Sequence, residues 1–207
     1  MKTSPPLPRR LHFENAFLPV VPVQKQPQGQ LKRVRTKGDA EYVIDPHGRY
    51  AYHLVADFSY LYQWRIAADG ILHPLHPHQV PAHSHPNTLQ FHPNGRFAYV
   101  TCSHGAVCQY RVSSGALIPL TPLAVYMDTD PSPVWFDRTG HYACVLTLGL
   151  ANGYPPNDRL SVFRISNTGH LELVHKIEVR KTDRPISQAA YADNLSAFTV
   201  SGNHLIR

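Results

Sequence analysis

Cysteine is scarce in this chain. Cys102, Cys108 and Cys144 are the only three among 207 residues, and none falls in a Cys-x-x-Cys spacing. An odd, unpatterned set excludes a disulfide framework and a zinc knuckle, and leads us to expect reduced thiols in a cytoplasm. Charge is sparse as well, at 16% of residues, yet 43% are hydrophobic, which excludes a globally disordered chain. Long apolar runs are missing. None approaches the ~20 residues of a membrane span, and Met1–Val23 holds no continuous apolar stretch of the signal-peptide kind. A P-loop, a dinucleotide fingerprint and a serine elbow are also lacking, and Gly149-Leu-Ala-Asn-Gly153 reads as a flexible loop. Nineteen prolines, spread from Pro5 to Pro185, leave little room for a long helix and exclude coiled coils and helical bundles.

The net charge of +6 is concentrated at one end. Residues 1–38 carry eight basic side chains against the single acid Glu14, and the rest of the chain is close to neutral. Such a leader can neutralise phosphates, but no aromatic residues interleave with these charges as single-strand binders require. We therefore expect a solvated basic leader over residues 1–16 and no nucleic-acid partner.

What is present in quantity is repetition. Asp45-Pro-His-Gly-Arg-Tyr-Ala-Tyr52, His92-Pro-Asn-Gly-Arg-Phe-Ala-Tyr99 and Asp137-Arg-Thr-Gly-His-Tyr-Ala-Cys144 align, with a worn fourth copy at Asp193–Val200. A second motif recurs between them: Val21-Pro-Val…Gly29-Gln-Leu31, Trp64-Arg-Ile…Gly70-Ile-Leu72, Tyr110-Arg-Val…Gly115-Ala-Leu117 and Phe163-Arg-Ile…Gly169-His-Leu171. Each first motif reads as a turn whose Gly takes positive φ, followed by a strand of alternating large and small residues. One period then holds four short strands: a (Gln30–Val34, Ile71–Leu75, Ala116–Leu120, His170–Val174), b (ending near Ile44, Phe91, Phe136, Tyr191), c after the Gly turn, and d (Tyr60–Ile66, Val107–Val112, Leu160–Ile165). Four-stranded units repeating every ~40–50 residues predict an all-β fold, a β-propeller of about four blades spanning residues 17–207. The strand expected at Phe17–Val23 completes the last blade in this reading. Four blades close as a small ring, pair with a second chain as half of a dimeric ring, or belong to a larger ring. The aromatic residues Tyr50, Tyr52, Tyr60, Tyr62, Trp64, Phe91, Phe97, Tyr99 and Trp135 are expected to pack blade on blade.

These residues resemble the lactonase-type propellers, the family of the bacterial 6-phosphogluconolactonase and related seven-bladed proteins. The likeness rests on His92-Pro-Asn-Gly-Arg-Phe-Ala-Tyr-Val100, on Gln109-Tyr-Arg-Val with Ser114-Gly-Ala-Leu-Ile-Pro-Leu120, and on Thr147-Leu-Gly149 with Asn157-Asp-Arg-Leu-Ser-Val-Phe163. It implies the blade type over residues 17–207. Family blades often open strand b with a Pro-Arg-His-like triplet, whose His the resemblance would make the reacting group. The aligned triplets here, Pro86-Asn-Thr88, Pro131-Ser-Pro133 and Ile186-Ser-Gln188, lack both the His and the Arg.

Loop lengths point to one working face. The b–c and d–a turns are tight, whereas the a–b connections (about His76–Asn87 and Thr121–Ser132) and the third c–d loop (Gly149–Asp158) are long. In an up-and-down blade these long connections share one rim. Six histidines lie between His73 and His92, and His76, His78, His83 and His85 are candidate metal ligands, although the prolines among them also suit an extended polar loop. Asp128 and Asp130 are candidates for acid–base work or cation binding, and equally suit a turn into Pro131. Asp158 and Arg159 match a family element, with an ion pair closing the long loop as their simpler role. With the reactive triplet missing, the first expectation is a non-catalytic propeller that binds a partner protein or a small sugar-like ligand at this rim. The alternative is a lactone hydrolase or cycloisomerase using His83, His85 or Asp128 in place of the missing His. No cofactor is implied.

Overall fold

The computed structural model describes residues 42–137, 139–148 and 158–176 in full, and residues 10–13, 16–19, 32–35, 41, 177–179, 199–201 and 204–206 as backbone strands. All of its regular elements are strands. β1 (Arg10–Phe13) and β2 (Ala16–Pro19) pair as a hairpin. β3 (Lys32–Arg35), β4 (Glu41–Ile44), β5 (Tyr50–Val55), β6 (Tyr60–Ile66) and β7 (Leu72–Pro81) follow as a five-stranded antiparallel sheet in chain order. β8 (Pro86–Phe91), β9 (Phe97–Cys102), β10 (Ala106–Ser113) and β11 (Ala116–Tyr126) make the second blade. β12 (Trp135–Phe136), β13 (Tyr142–Thr147), β14 (Asp158–Ile165) and β15 (Leu171–Val179) make the third. β16 (Thr199–Ser201) and β17 (His204–Ile206) pair as a two-stranded unit where a fourth blade is expected. The propeller-blade repeat is thus present, although the described strands do not close into a ring. Among the described residues no helix is long and apolar enough to cross a membrane.

Two sequence expectations are corrected. The Gly-x-Leu strand, expected to open each unit, does so as β3 in the first sheet, but its later copies close one: β7, β11 and β15 pair with the strand before them across a tight turn. The long a–b connections are mostly strand, because β7 runs to Pro81 and β11 to Tyr126, leaving only residues 82–85 and 127–134 as links. Partly buried Leu72, Leu75 and His78, with Val80 fully covered, keep this proline-rich segment on the sheet. Ile186-Ser-Gln188, Tyr191, most of the Asp193–Val200 motif and most of the Gly149–Asp158 loop lie outside the described residues.

The glycine turns match the sequence reading: Gly48, Gly95 and Gly140 have φ of 68°, 70° and 71°. They lie on what we call the lower rim, with the hairpin turns at Gly70, Gly115 and Gly169. There the blades are fastened by a repeated device. Tyr52 Oη donates to Gly115 O (2.7 Å), and one blade later Tyr99 Oη donates to Gly169 O (2.9 Å). Gln63 Oε1 accepts the Leu117 N–H (2.8 Å), and Gln109 Oε1 accepts that of Leu171 (2.6 Å). The amide ends turn inward: Gln63 Nε2 donates to Pro77 O, and Gln109 Nε2 to Pro122 O. Both glutamines are fully buried and satisfied at both ends. Each sits opposite a bulge in its blade's outer strand, where residues 75–78 and 120–123 leave the ladder. A Cβ at Gly115 would overlap the Tyr50 ring, and one at Gly169 the Phe97 ring, so only glycine lets the blades approach this closely.

The third blade departs from the device. Cys144 and Val162 stand where Tyr99 and Gln109 stand, and the bulge in β15 shrinks to Val174 alone. Elsewhere the seams are apolar. Tyr52, Leu61 and Val80 pack against Leu89, Val100 and Cys108, and Phe97, Tyr99 and Val107 pack against Ala143, Val145 and Phe163. Not every aromatic residue serves a seam as expected: Tyr60, Tyr62 and Trp64 form a ring ladder with Tyr42, His53 and His78 on the other face of the first sheet.

Candidate functional site

The upper rim gathers the links that the repeat leaves free to vary: residues 82–85, the β9–β10 turn at 103–105 and residues 127–134. The loop-length argument placed these segments on one face, and the strand directions agree.

Over the second blade the rim assembles a cluster. Ser84 Oγ lies 3.1 Å from His83 Nδ1 and 3.3 Å from His104 Nδ1. The rings of His85 and His104 meet edge to face at 5.1 Å, and that of His83 meets Tyr126 at 5.6 Å. Asp130 Oδ1 accepts the backbone N–H of His104 (2.6 Å). His85 and His104 hold φ of 51° and 65°, in the left-handed region that side chains other than glycine seldom adopt, so surrounding contacts must hold this turn in place. Those contacts are visible. Met127 N–H donates to Gly105 O (2.7 Å), and a Cβ at Gly105 would come within 2.6 Å of Met127 O. The 82–85 link is anchored on the same blade, since Tyr110 Oη donates to Pro81 O (2.9 Å) and His83 N–H to Cys108 Sγ (3.1 Å). Tyr126 exposes 69% of its surface.

A hydroxyl shared between two Nδ1 atoms constrains protons. It has one hydrogen to donate, so one imidazole accepts at Nδ1 and carries its proton on Nε2, while the other donates from Nδ1 and keeps a lone pair on Nε2. The pair is therefore differentiated into one Nε2–H donor and one Nε2 base by hydrogen bonding alone.

The other expected residues divide. Asp128 is bound to Arg159 Nη1 (3.0 Å) and Lys176 Nζ (2.8 Å), a bridge from the exit of the second blade to β14 and β15. The hydrogen bond from Lys176, then that from Arg159, holds the Asp128 carboxyl below its ordinary range despite partial burial. Arg159 thus pairs across elements to Asp128, and Asp158 starts β14 beside it, in register with Val179. His76 and His78 lie in the β7 bulge, away from the cluster, with the His78 ring 4.9 Å from Tyr62 and 5.0 Å from Trp64. His92 is buried under the lower rim: its Nδ1 accepts Asn94 N–H (3.2 Å) and its Nε2–H donates to Gly140 O (2.7 Å), which fixes its tautomer and makes it a seam residue. Among the described residues no three His, Cys, Asp or Glu side chains converge as a metal group.

So His83, His85 and Asp130 come together around His104, whereas Asp128 and Arg159 form a neighbouring polar bridge with Lys176, and Asp158 starts β14 beside it. His104, Ser84 and Tyr126 were missed by the sequence reading. The one signal for His104 was Ser103-His-Gly105, a short polar turn between two apolar strands. Thr88, which ends the triplet where the resemblance calls for His, is buried with its Oγ1 at 2.6 Å from Thr101 Oγ1.

Comparison with known proteins adds a family. Residues 20–187 match the family described as "Lactonase, 7-bladed beta-propeller". No curated protein matches the chain. Among solved structures it is similar to the periplasmic gluconolactonase of Pseudomonas aeruginosa, with 20% identity and a TM-score of 0.56 over 84% of this chain and 54% of that one. It is likewise similar to a candidate 6-phosphogluconolactonase of Bacteroides fragilis, with 17% identity and a TM-score of 0.57 over 91% of this chain and 55% of that one. Hydrazine synthase of Kuenenia stuttgartiensis shares the fold at 14% identity, with a TM-score of 0.53 over 72% of this chain and 46% of that one. The chain spans about half the length of these structures, and at such identities the likeness concerns the fold. The expectation of a non-catalytic scaffold gains no support from these matches, and the lactonase alternative gains it at the level of the family.

Proposed function

The chain belongs to the lactonase family of seven-bladed β-propellers, and from that premise we propose that it binds and hydrolyses a sugar-like lactone at the upper rim of its second blade. The observation that carries this reading is Ser84 Oγ between the Nδ1 atoms of His83 and His104, which supplies an acid and a base side by side. Lactone hydrolysis needs both. One imidazole takes a proton at Nε2 from the attacking water as its oxygen bonds to the carbonyl carbon. The other protonates the ring oxygen from Nε2 as the ring carbon–oxygen bond breaks, while the Ser84 hydroxyl gives its proton to that ring's Nδ1 and takes the Nδ1 proton of the first, so both imidazoles end neutral. The exposed Tyr126 ring offers an apolar face for the sugar ring, and His85 lies within reach of polar substituents.

A panel of plain and phosphorylated sugar lactones, with spontaneous hydrolysis subtracted, tests this. Turnover of at least one member supports it, and none above background contradicts it. A second reading, binding without catalysis, draws on the buried Thr88–Thr101 pair in place of the family's reactive His. It expects saturable binding of a sugar-like ligand or a partner protein with no turnover. Pairing with a second copy to complete a ring is compatible with either reading.

A further inference from the structure

The turn that carries His104 has a counterpart in the first blade, and the two are held differently. Counting back from the strand that follows each turn, Ser59 matches Gly105 and Phe58 matches His104. One contact recurs: Ala82 N–H donates to Ser59 O (2.9 Å), as Met127 N–H does to Gly105 O (2.7 Å). That contact belongs to the repeat. The next one does not. In the first blade Phe58 N–H closes on Val55 O within its own turn (3.0 Å). The second blade crosses with residues 103–105 where the first uses residues 56–59, and in this shorter turn His104 N–H reaches out to Asp130 Oδ1 at 2.6 Å. An amide bonded to a carboxylate at that distance makes a charge-assisted hydrogen bond. Asp130 is itself steadied from the third blade. Thr129 Oγ1 donates to Leu148 O (3.0 Å), Pro131 bridges Thr147, and Asp128 is bound by Arg159 and Lys176.

We propose that Asp130 is a positioning residue: as a hydrogen-bond acceptor it holds His104 in its left-handed conformation and so keeps His104 Nδ1 on Ser84 Oγ. The proposal rests on the reading of His83, Ser84 and His104 as the working site. His104 has φ of 65°, which a side chain other than glycine seldom adopts. Its 3.3 Å contact with Ser84 is the longer of the two that the hydroxyl makes. Released from Asp130, the backbone at His104 relaxes toward negative φ, the Cα–Cβ direction changes and the ring leaves Ser84. His83 then keeps the hydroxyl alone, and the two imidazoles are no longer sorted into one Nε2–H donor and one Nε2 base. In this role the carboxylate moves no proton, which separates it from the acid–base work that the sequence suggested for Asp130. The site also becomes the joint product of two blades, because the third blade sets the link and the link sets His104.

Asp130→Ala and Asp130→Asn separate these roles, because asparagine keeps an acceptor at Oδ1 and gives up the charge. Ring-nitrogen NMR signals of the full chain report which nitrogen of each imidazole carries the proton, whether or not lactone is turned over. With both rings neutral, wild type and Asp130→Asn are expected to show His83 and His104 as opposite tautomers. In Asp130→Ala, His104 should instead show the tautomer mixture of a free imidazole. Exchange of the His104 amide should accelerate about tenfold in Asp130→Ala, the size of one lost hydrogen bond. Lactone kcat should fall by about the same factor with KM nearly constant, since Tyr126 and His85 still meet the ligand, and Asp130→Asn should retain it. A wild-type ring spectrum in Asp130→Ala would overturn the inference. So would an Asp130→Asn that loses as much kcat as Asp130→Ala, because the charge rather than the acceptor would then matter. If wild type turns over no lactone, the functional reading falls, and the ring spectra still decide whether Asp130 positions His104.

Discussion

The lower and upper rims of the second blade are made by the same four strands and obey opposite rules. Below, the fastening contacts recur one blade away: Tyr52 with Tyr99, Gln63 with Gln109, Gly115 with Gly169. Above, the contacts of Ser84, His104 and Asp130 have no counterpart among the described residues of the first and third blades. Repetition marks what holds blades together, because every seam faces the same packing problem. Singularity marks where one blade has been shaped for something else.

Substitutions should separate the rims. The largest effect is expected from His104→Asn, which keeps a residue tolerant of positive φ but removes the imidazole. Lactone turnover should fall ~10²–10⁴-fold, with the denaturation midpoint little changed. A parallel loss of stability would show that the cluster is a structural cap. The converse is Gln109→Leu, which strands the Leu171 N–H and Pro122 O in a buried seam. It should cost about 2–4 kcal/mol in denaturant unfolding and leave the turnover of the folded fraction intact. Tyr99→Phe, losing one bond to Gly169 O, should cost ~1 kcal/mol. If either seam variant is silent in unfolding, the repeated contacts do not fasten the blades.

The smallest effect concerns pH. The Asp128 carboxyl is held below its ordinary range by Lys176 and Arg159, so its contribution is complete above the usual carboxylate pKa and is lost as pH falls through the lowered one. The bridge is partly exposed, so ~0.2–1 kcal/mol is expected. A stability difference between wild type and Asp128→Asn that shrinks toward low pH would confirm it. A difference that grows would reverse the assignment.

The sequence revealed the lower rim better than the upper one, for a physical reason. A seam repeats, so the alignment of Asp45–Tyr52 with His92–Tyr99 exposes its turns and strands. The glutamines were equally legible in principle, since Gln63 and Gln109 occupy the same repeat position, but an amide serving two backbone partners has no local pattern. The boundaries of β7 were misread because its three prolines, Pro74, Pro77 and Pro81, read as loop, whereas the bulge takes Pro77 out of the ladder and the strand continues on either side. His83 and His85 were identified by composition. His104 and Ser84 were not, because their partnership joins a link and a turn about twenty residues apart, and only the closing of β8 onto β9 and β10 brings them together.

The central claim is that the upper rim of the second blade receives a sugar-like ligand while the lower rim only holds the fold. Backbone amide exchange with and without a sugar lactam, a hydrolysis-resistant stand-in for the lactone, tests it most directly. The account predicts added protection at residues 83–85, 103–105 and 126–130 and none at the hairpins of Gly115 and Gly169. Protection confined to the lower rim or to the aromatic ladder of the first blade, or no protection at saturating lactam, would contradict it.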